Sequence, residues 1–353
     1  MTSTTVTALS VPAPGADFET IALDRRDLRP DDVRIDIAYA GVCHSDIHTV
    51  RGEWGERPFP ITPGHEIVGT VAEIGSEVTG FKVGDTVGVG CLVDSCGECS
   101  ACKDGEEQFC EKGAVETYAT PDYHGEVTQG GYSESVVVRD HFVLHIPDGV
   151  DLASTTPLLC AGITTYSPLK AHGVGPGSNI AVVGMGGLGH VAVKIAKALG
   201  AEVTVLSRTT SKEEDGRAFG ADHYYATKDG KAFEELASSF DFILNTVGAD
   251  LDVDAYLGLL ARGGTLVNVG APSQPQQFGM FSLITNRRSY AGSQIGGLPE
   301  TQEMLDFCAE HGITATIELI DAKDVGAYYD KVVDGDVRYR AVIDATSFAA
   351  TAA

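Results

Sequence analysis

Four of the eight cysteines in this chain follow one another closely, with the spacing C-x2-C-x2-C-x7-C, at Cys96, Cys99, Cys102 and Cys110. Four thiolates so close in sequence can surround one tetrahedral Zn²⁺ at about 2.3 Å, and a site with four protein ligands leaves no position open for a substrate. The spacing therefore predicts a structural zinc site. An iron–sulfur cluster and disulfides are the alternatives, although the Cys-Pro ending of many ferredoxin sites is missing.

Three further residues of metal-ligating type are scattered along the chain. Cys43 lies in GVCHSDIH, His65 in PGHE and Cys160 in LLCAG. Each one alone is more often a core residue than a ligand. Cys91, among apolar residues, and Cys308, in an amphipathic stretch, are predicted to bind no metal.

A glycine-rich segment indicates a dinucleotide site. The motif G-x-G-x-x-G directly follows the apolar run Asn179–Val183 and opens the helical pattern His190–Leu199. This strand–turn–helix context is the one in which the motif binds a pyrophosphate through backbone N–H groups at a helix start. The residues predicted to contact the cofactor are Gly184, Gly186, Gly187, Leu188 and Gly189.

The end of the next strand distinguishes NAD from NADP. An NAD site usually has Asp or Glu there, where it binds the ribose hydroxyls. After Glu202–Leu206 the chain instead has Ser207, Arg208 and Lys212, and the first acid comes later, at Glu213. One hydroxyl and two cations suit a 2′-phosphate, so the sequence predicts NADP(H). The alternative is that these are solvated residues at a helix start.

The remaining pattern places these groups on two kinds of domain. Up to about residue 150, short apolar runs between turns predict a β-barrel or sandwich, with strands at Val33–Tyr39, Glu66–Ile74, Thr86–Val89 and Ser135–Val138. From about residue 155, strands alternate with helices, which predicts an α/β domain with a doubly wound parallel sheet. Its strands are predicted at Asn179–Val183, Glu202–Leu206, Phe240–Leu244, Gly264–Val269 and Ser289–Gly292.

Composition excludes several partners. The 353 residues carry a formal net charge of −25, which repels nucleic acid and anionic membranes. No run of about 20 apolar residues predicts a membrane span. With no signal-peptide pattern at the start, we expect a cytoplasmic protein.

Taken together, these motifs resemble a known family. GVCHSDIH, PGHEIVG, the four-cysteine segment, TQGGYSE, LLCAGITTY, GMGGLG, ETQEMLDFC and DVRYR stand in the order typical of zinc-dependent medium-chain alcohol dehydrogenases. The similarity runs from about residue 30 to 345 and is closest to the cinnamyl alcohol dehydrogenase branch, which includes bacterial aldehyde reductases. It implies hydride transfer between NADP(H) and an alcohol or aldehyde, with two zinc ions per chain.

The resemblance assigns roles around the second zinc. Cys43, His65 and Cys160 would be the catalytic ligands, and three protein ligands leave the fourth position open, as catalytic zinc requires. Glu66 would lie behind the metal or replace water as a transient ligand; the alternative is a buried acid that never binds it. Asp46 would orient the imidazole of His65.

Ser45 and His48 are the candidate proton path between the substrate and solvent. A hydroxyl beside the zinc can take the alcohol proton and pass it through the cofactor ribose to an imidazole near solvent, a group that both accepts and donates protons. The alternative for His48 is an ordinary surface histidine.

The resemblance also implies the lining of both pockets. Arg340 would contact the pyrophosphate, the alternative being a surface salt bridge. Further cofactor contacts would be His44, Thr164, Thr246, Val247, Val269, Ala271 and Ser293. The substrate pocket would be formed by Trp54, Cys91, Val115, Gln294 and Ile295. Trp54 would face an aromatic aldehyde or merely pin its loop.

We therefore predict a GroES-like β-barrel catalytic domain at residues 1–154 and 294–353, and a Rossmann domain at residues 155–293. The family resemblance implies a homodimer that pairs through Ser289–Ser293. Two alternatives stay open: an NAD-dependent zinc alcohol or polyol dehydrogenase of the same fold, and a non-catalytic protein that binds zinc or NADPH.

Overall fold

The computed structural model describes residues 4–272 and 274–351, which form two compact units. Unit 1 comprises Met1–Cys160 and Gly296–Ala353, and unit 2 comprises Ala161–Ile295. The boundaries between the two units therefore fall after Cys160 and after Ile295, whereas the sequence predicted them after residues 154 and 293. The first boundary is later because the 3₁₀ helix Thr156–Leu159 packs against strands of unit 1. Residues 1–3, 352 and 353 of the predicted catalytic domain lie outside the described residues.

The strands of unit 1 form one large sheet and two small ones. In chain order the strands are β1 Thr4–Ser10, β2 Glu19–Arg25, β3 Asp32–Val42, β4 Ile67–Ile74, β5 Thr86–Val89, β6 Leu92–Asp94, β7 Val115–Glu116, β8 Ser135–Arg139 and β9 Leu144–His145. The strands of unit 2 are β10 Asn179–Val183, β11 Glu202–Ser207, β12 His223–Ala226, β13 Phe240–Asn245, β14 Leu260–Asn268 and β15 Ser289–Gly292. The chain then returns to unit 1 for β16 Ile317–Asp321 and β17 Arg340–Asp344.

The large sheet of unit 1 has the order β16-β17-β3-β4-β5-β9, and β8 also pairs with β3. Its pairs are antiparallel except β16 with β17. β1 pairs with β2, and β6 pairs with β7. The long central β3 is therefore bonded on both sides, and the turns at its end are held in a fixed place.

The helices are mostly short in unit 1 and cover the sheet in unit 2. They are α1 His44–Val50, α2 Ser100–Lys103, α3 Leu152–Thr155, α4 Ala161–Ala171, α5 Gly189–Ala198, α6 Glu213–Ala218, α7 Lys231–Glu235, α8 Val253–Gly258, α9 Phe281–Ile284, α10 Leu298–Glu310, α11 Val325–Asp334 and α12 Phe348–Thr351. Among the described residues, no helix is both long enough and apolar enough to cross a membrane.

The sheet of unit 2 is parallel throughout, with the order β12-β11-β10-β13-β14-β15. This order reverses direction between β10 and β13, and a crevice at such a point is where doubly wound sheets bind nucleotides. The central strands β10 and β11 are largely buried because helices cover both faces of a parallel sheet. Ile180, Val205 and Ile243 are accordingly fully buried.

Candidate active site

Two sets of metal-ligating side chains lie in unit 1. In each set, every residue offers one ligand atom, and these atoms lie within 4.8 Å of one another. The sets are Cys43, His65, Glu66 and Cys160, all buried, and Cys96, Cys99, Cys102 and Cys110. The structure therefore brings together both groups of predicted zinc ligands.

The pairing of β3 with β4 explains why Cys43 meets His65. Cys43 directly follows β3 and caps α1, while His65 lies two residues before β4. Ala40 is paired with Ile67, so the end of β3 lies beside the start of β4. Cys160 comes to the same place from the end of the 3₁₀ helix that packs against these strands.

The two thiols of the first set share their protons unequally. A hydrogen bond with Cys160 lowers the pKa of the Cys43 thiol well below its usual value, against the effect of burial. The same contact raises the pKa of Cys160. Of these two thiols, Cys43 therefore loses its proton more readily. A soft cation that displaces the proton of Cys160 as well would bind both sulfurs favourably.

The Asp46 carboxylate accepts hydrogen bonds from the residues around two of the ligands. Its Oδ1 accepts hydrogen bonds from His65 Nδ1 at 2.9 Å and from the backbone N–H of Gly64 at 3.1 Å. Its Oδ2 accepts from the backbone N–H of Cys43 at 3.0 Å. Because Nδ1 of His65 is held by this carboxylate, Nε2 is the nitrogen left for a metal. This is the usual outer partner of a ligating histidine.

Glu66 forms a buried ion pair with Arg340. Glu66 Oε1 accepts from Arg340 Nη2 at 2.5 Å, and the same nitrogen donates to the carbonyl of Val42 at 2.8 Å. Arg340 is only 4% exposed, so the alternative of a surface salt bridge is wrong. Glu66 Oε2 and Arg340 Nη1 are buried without a hydrogen-bond partner among the described residues. An unsatisfied carboxylate oxygen beside two thiols and an imidazole fits a cation at this place.

The candidate proton path lies on α1. Ser45 Oγ is 3.6 Å from Cys43 Sγ. His48 Nδ1 is 2.5 Å from Glu53 Oε2, and the Trp54 ring stacks on the imidazole with 5.0 Å between centroids. Trp54 therefore packs on His48 and fixes the position of the loop that carries Trp54. Its predicted contact with a substrate stays a prediction.

The second set is surrounded by donors to sulfur. The backbone N–H of Cys96 donates to Cys110 Sγ at 3.4 Å, and Tyr123 Oη lies 3.6 Å from the same atom. Burial opposes ionisation, but these hydrogen bonds lower the pKa of Cys110 to about 6. All eight cysteines lie in the described part of the chain as unpaired thiols, so the disulfide alternative is wrong. Neither Cys91 nor Cys308 belongs to a set.

In unit 2, the glycine-rich turn has the shape that a pyrophosphate requires. It connects β10 to α5, as predicted. A Cβ on Gly189 would lie 2.1 Å from the Gly184 carbonyl oxygen, whereas a Cβ on Gly186 would have no atom within 4 Å. Gly189 thus allows the close packing of the turn, and Gly186 leaves the space into which a ligand can approach the backbone.

The end of β11 presents cations and no available acid. Lys212 Nζ donates to the carbonyl of Met185 at 3.1 Å, so its ammonium lies over the glycine-rich turn. Arg208 is exposed. Glu213, the first acid after the strand, accepts two bonds from Arg217, at 3.0 and 3.1 Å. Its carboxylate is therefore occupied by another side chain.

Most other predicted cofactor residues of unit 2 follow the carboxyl ends of its strands. Thr246 and Val247 follow β13, and Thr246 Oγ1 donates to the carbonyl of Val183 at 2.8 Å. Val269 follows β14, and its N–H donates to the carbonyl of Asn245 at 2.9 Å. The others in this unit are Ala271, Ser293 and, on α4, Thr164. Ligands of doubly wound sheets bind at this edge.

The comparisons with known proteins agree with this geometry. A family model described as alcohol dehydrogenase GroES-like domain matches residues 29–148, and one described as zinc-binding dehydrogenase matches residues 187–348. Over 336 residues, 95% of this chain and 96% of its relative, the chain is 58% identical to a probable formaldehyde dehydrogenase, AdhA, of Bacillus subtilis. The chain belongs to the zinc-binding alcohol dehydrogenase family.

Two further relatives support membership of this family. The dehydrogenase is 55% identical over 344 residues to NADP-dependent alcohol dehydrogenase C 1 of Mycolicibacterium smegmatis, covering 97% of this chain and 99% of the relative. The crystal structure of CAD from Helicobacter pylori complexed with NADP(H) superposes with a TM-score of 0.92 at 41% identity, covering 98% and 99% of the two chains. The predicted family and the predicted fold class, a GroES-like domain with a Rossmann domain, are confirmed.

The predicted substrate residues of the dehydrogenase are divided between the units. Trp54, Cys91 and Val115 lie in unit 1, and Gln294 and Ile295 lie in unit 2. Val115 is buried at the start of β7. That these five residues line one pocket stays a prediction, as does the contact of His44, an exposed residue at the start of α1, with the cofactor.

Sequence reasoning missed two partners of the site. It did not predict that Glu53 would bind His48, although an acid five residues after a histidine in a glycine-containing turn is a usable signal. It also missed the pairing of Glu66 with Arg340, which are 274 residues apart. No local pattern in the sequence could have indicated this second contact.

Proposed function

We propose that this protein is a zinc-dependent NADP(H) alcohol dehydrogenase that interconverts alcohols with aromatic or aliphatic aldehydes. The observation that carries the proposal is the buried set of Cys43, His65 and Cys160, with the Asp46 carboxylate on His65 Nδ1. Three protein donors around one point are the ligand set of an open, catalytic zinc site. The names of the relatives, an NADP-dependent alcohol dehydrogenase and a probable formaldehyde dehydrogenase, support the same chemistry.

The bound groups would supply a Lewis acid at the substrate oxygen and a hydride donor or acceptor. The chain's own residues then move the proton. We propose that Ser45 Oγ, 3.6 Å from Cys43 Sγ, takes the proton of an alcohol, and that the proton then passes through the cofactor ribose to His48. The bond between His48 Nδ1 and Glu53 orients the imidazole, and Glu53 is half exposed and so connects this path to water.

The cofactor would be held by the glycine-rich turn and the end of β11. The turn offers backbone N–H groups at the start of α5, which suit the pyrophosphate. Ser207, Arg208 and Lys212 would bind the 2′-phosphate in a chain whose net charge of −25 otherwise repels it. Arg340 stays our proposed cationic contact of the pyrophosphate, and its Nη1 has no hydrogen-bond partner in the described structure.

A substrate screen tests the function directly. Purified protein would be mixed with NADPH and aliphatic, benzylic or cinnamyl aldehydes, and the absorbance of NADPH would be followed. We expect oxidation of NADPH with at least one of these classes and reversal with the matching alcohol. A protein that binds two zinc ions and NADPH but turns over no aldehyde or alcohol would instead be the non-catalytic alternative.

Replacing His48 with glutamine is expected to lower kcat for alcohol oxidation by about 100-fold, the lower end of the contribution of general acid–base groups. The reason is that glutamine cannot carry the proton from Ser45 to solvent. KM for the cofactor should change little. His124→Gln, at an exposed loop position, is the matched control and should keep the wild-type kcat. An unchanged kcat in the His48 variant would remove this residue from the path.

We also propose a homodimer. β15 is an outer strand of the six-stranded sheet, and α9, shortly before it in the chain, exposes the apolar side chains of Phe281 and Ile284, with Phe281 79% exposed. Exposed apolar groups next to an open strand edge favour contact with a second copy. Light scattering of the wild type and of Phe281→Asp would test this: a dimer that becomes a monomer supports it, and a wild-type monomer refutes it.

A cytoplasmic location is proposed from the thiol chemistry. Both ligand sets need reduced cysteines, and all eight cysteines are unpaired in the structure. Thiols persist in reducing compartments and are oxidised outside them. Fractionation of the native host, with antibody detection, would test this location.

A further inference from the structure

The segment TQGGYSE, residues 128–134, is typical of the family branch but has no role in the chemistry described so far. In the structure its first half lies against the segment that leads into His65. Three backbone N–H groups of this segment donate to carbonyls before His65: Gly130 to Thr62 at 2.7 Å, Gly131 to Gly64 at 2.9 Å and Tyr132 to Pro63 at 2.9 Å. In the other direction, the backbone N–H of Thr62 donates to Gln129 Oε1 at 2.9 Å. The segment therefore fixes the chain immediately before His65.

The same segment is held from its other side by Arg25 of β2. The buried guanidinium donates to the carbonyls of Gln129 at 2.6 Å and Gly130 at 2.7 Å, and to Ser133 Oγ at 2.6 Å. These bonds fix the direction in which the next side chain, that of Tyr132, points into unit 1.

The Tyr132 side chain reaches the carboxylate that holds His65. The Tyr132 ring is fully buried and packs against Gly64. It packs so closely that a Cβ added at Gly64 would lie only 2.6 Å from Tyr132 Cδ1. The Tyr132 hydroxyl donates to Asp46 Oδ2 at 3.3 Å, and the other oxygen, Oδ1, accepts from His65 Nδ1 at 2.9 Å. One hydroxyl is thus connected to the imidazole through a single carboxylate.

A second tyrosine, Tyr329, orients the hydroxyl of Tyr132 through a hydrogen bond. Tyr329 of α11 donates its hydroxyl to that of Tyr132 at 3.4 Å, and Phe18 packs edge-on against the Tyr329 ring at 5.1 Å. Burial raises the pKa of both tyrosines well above the usual value, so both hydroxyls keep their protons as donors. With Tyr329 donating to its oxygen, the Tyr132 proton is directed towards Asp46.

We propose that Tyr132 is a positioning residue for the catalytic metal, acting through Asp46 on His65, with Tyr329 supporting it. The inference rests on the proposed function, since it assigns zinc to Cys43, His65 and Cys160. Without the hydroxyl, the Asp46 carboxylate loses one of its donors and is held less firmly by the backbone N–H of Cys43 and the nearby Tyr118 hydroxyl, so its grip on His65 weakens. Loss of groups behind a ligand typically weakens metal binding by about 10- to 100-fold.

The test measures zinc release from the purified holoenzyme with an excess of a chromophoric chelator. In Tyr132→Phe we expect one of the two zinc ions to leave about 10-fold faster than in the wild type. The other ion, held by the four-cysteine set, should leave at the wild-type rate. Tyr256→Phe, which removes the hydroxyl of a buried tyrosine in unit 2, is the matched control and should release both ions as the wild type does.

A second arm separates positioning from a general loss of stability. In an Asp46→Ala background, Tyr132→Phe should add nothing to the release rate, because its effect passes through the missing carboxylate. Additive effects, equal loss of both ions, or wild-type release from Tyr132→Phe would each overturn the inference. If Tyr132→Phe does not fold, Tyr329→Phe takes its place, with a smaller acceleration expected for the same ion and wild-type release overturning the inference. A wild type that holds only one zinc ion would instead contradict the proposed function.

Discussion

Replacement of Cys43 by alanine is expected to lower the zinc content from two ions per chain to one and to abolish turnover. The variant leaves His65 and Cys160 at the buried set, with Glu66 as the predicted transient ligand. Zinc binding of about 10–16 kcal/mol shared among four ligands gives roughly 3 kcal/mol for each, so one lost ligand weakens binding by about 100-fold or more. Elemental analysis after gel filtration would give the zinc content, and NADPH oxidation would give the activity.

The matched control is Cys308→Ala, which also removes a buried thiol but belongs to neither set. It should keep two zinc ions and the wild-type activity. Cys99→Ser should lose the other ion and lower the melting temperature, because closed four-thiolate sites stabilise the fold. A Cys43→Ala protein that still binds two ions, or that still turns over, would contradict the assignment of the catalytic site.

The parallel sheet was the part of the fold most readily predicted from sequence. The predicted strands Asn179–Val183 and Ser289–Gly292 have the bounds of β10 and β15. In β10 the residues after Asn179 form an unbroken apolar run because both faces of the sheet are covered, and Gly184 follows directly, whereas β15 is a short, partly exposed strand that ends in Gly292. The prediction stopped one residue early at β11 and β13, where polar residues, Ser207 and Asn245, still belong to the strand.

The first unit was harder to predict because its elements are short and depend on distant partners. β1 and β2, absent from the prediction, pair with each other, β1 also bridges Ser133 through Ala8, and their alternation is interrupted by polar residues. The helix α1 was also missed, because its sequence, HSDIHTV, has few strong helix formers. Its N-cap is Cys43, whose backbone N–H donates to Asp46 Oδ2, as in a capping box.

The residues of the site were predicted from the order of motifs, whereas their contacts were not. Cys43, His65 and Cys160 became candidates only through family resemblance, since nothing in their spacing brings them together. The bonds of Arg340 to Glu66 and of Tyr329 to Tyr132 join residues 274 and 197 positions apart. Such contacts follow from the pairing of β17 with β3 and from the packing of α11, and neither can be inferred from a local pattern.

The cofactor preference should depend on Arg208 and Lys212. In the double variant Arg208→Ala and Lys212→Ala, we expect kcat/KM for NADPH to fall by about 100-fold. Hydrogen bonds to charged groups contribute about 1.5–3 kcal/mol each, and the lower end applies because both side chains are partly solvated. NADH lacks the 2′-phosphate, so its kcat/KM should change by less than about threefold, a range within ordinary surface effects.

The preference can be read as the ratio of kcat/KM for the two cofactors, measured at one ionic strength, because salt screens charges at exposed positions. Arg262→Ala, which removes an exposed cation of β14, is the matched control and should leave the ratio unchanged. Loss of activity with both cofactors to the same extent would mean that Lys212 serves the glycine-rich turn through its bond to Met185 rather than the phosphate. A double variant that kept its preference for NADPH would show that the 2′-phosphate is recognised elsewhere, and a wild type that prefers NADH would favour the NAD-dependent alternative. The expected result is a fall in kcat/KM for NADPH alone. It would mean that Arg208 and Lys212 act on the 2′-phosphate, the one group by which the two cofactors differ.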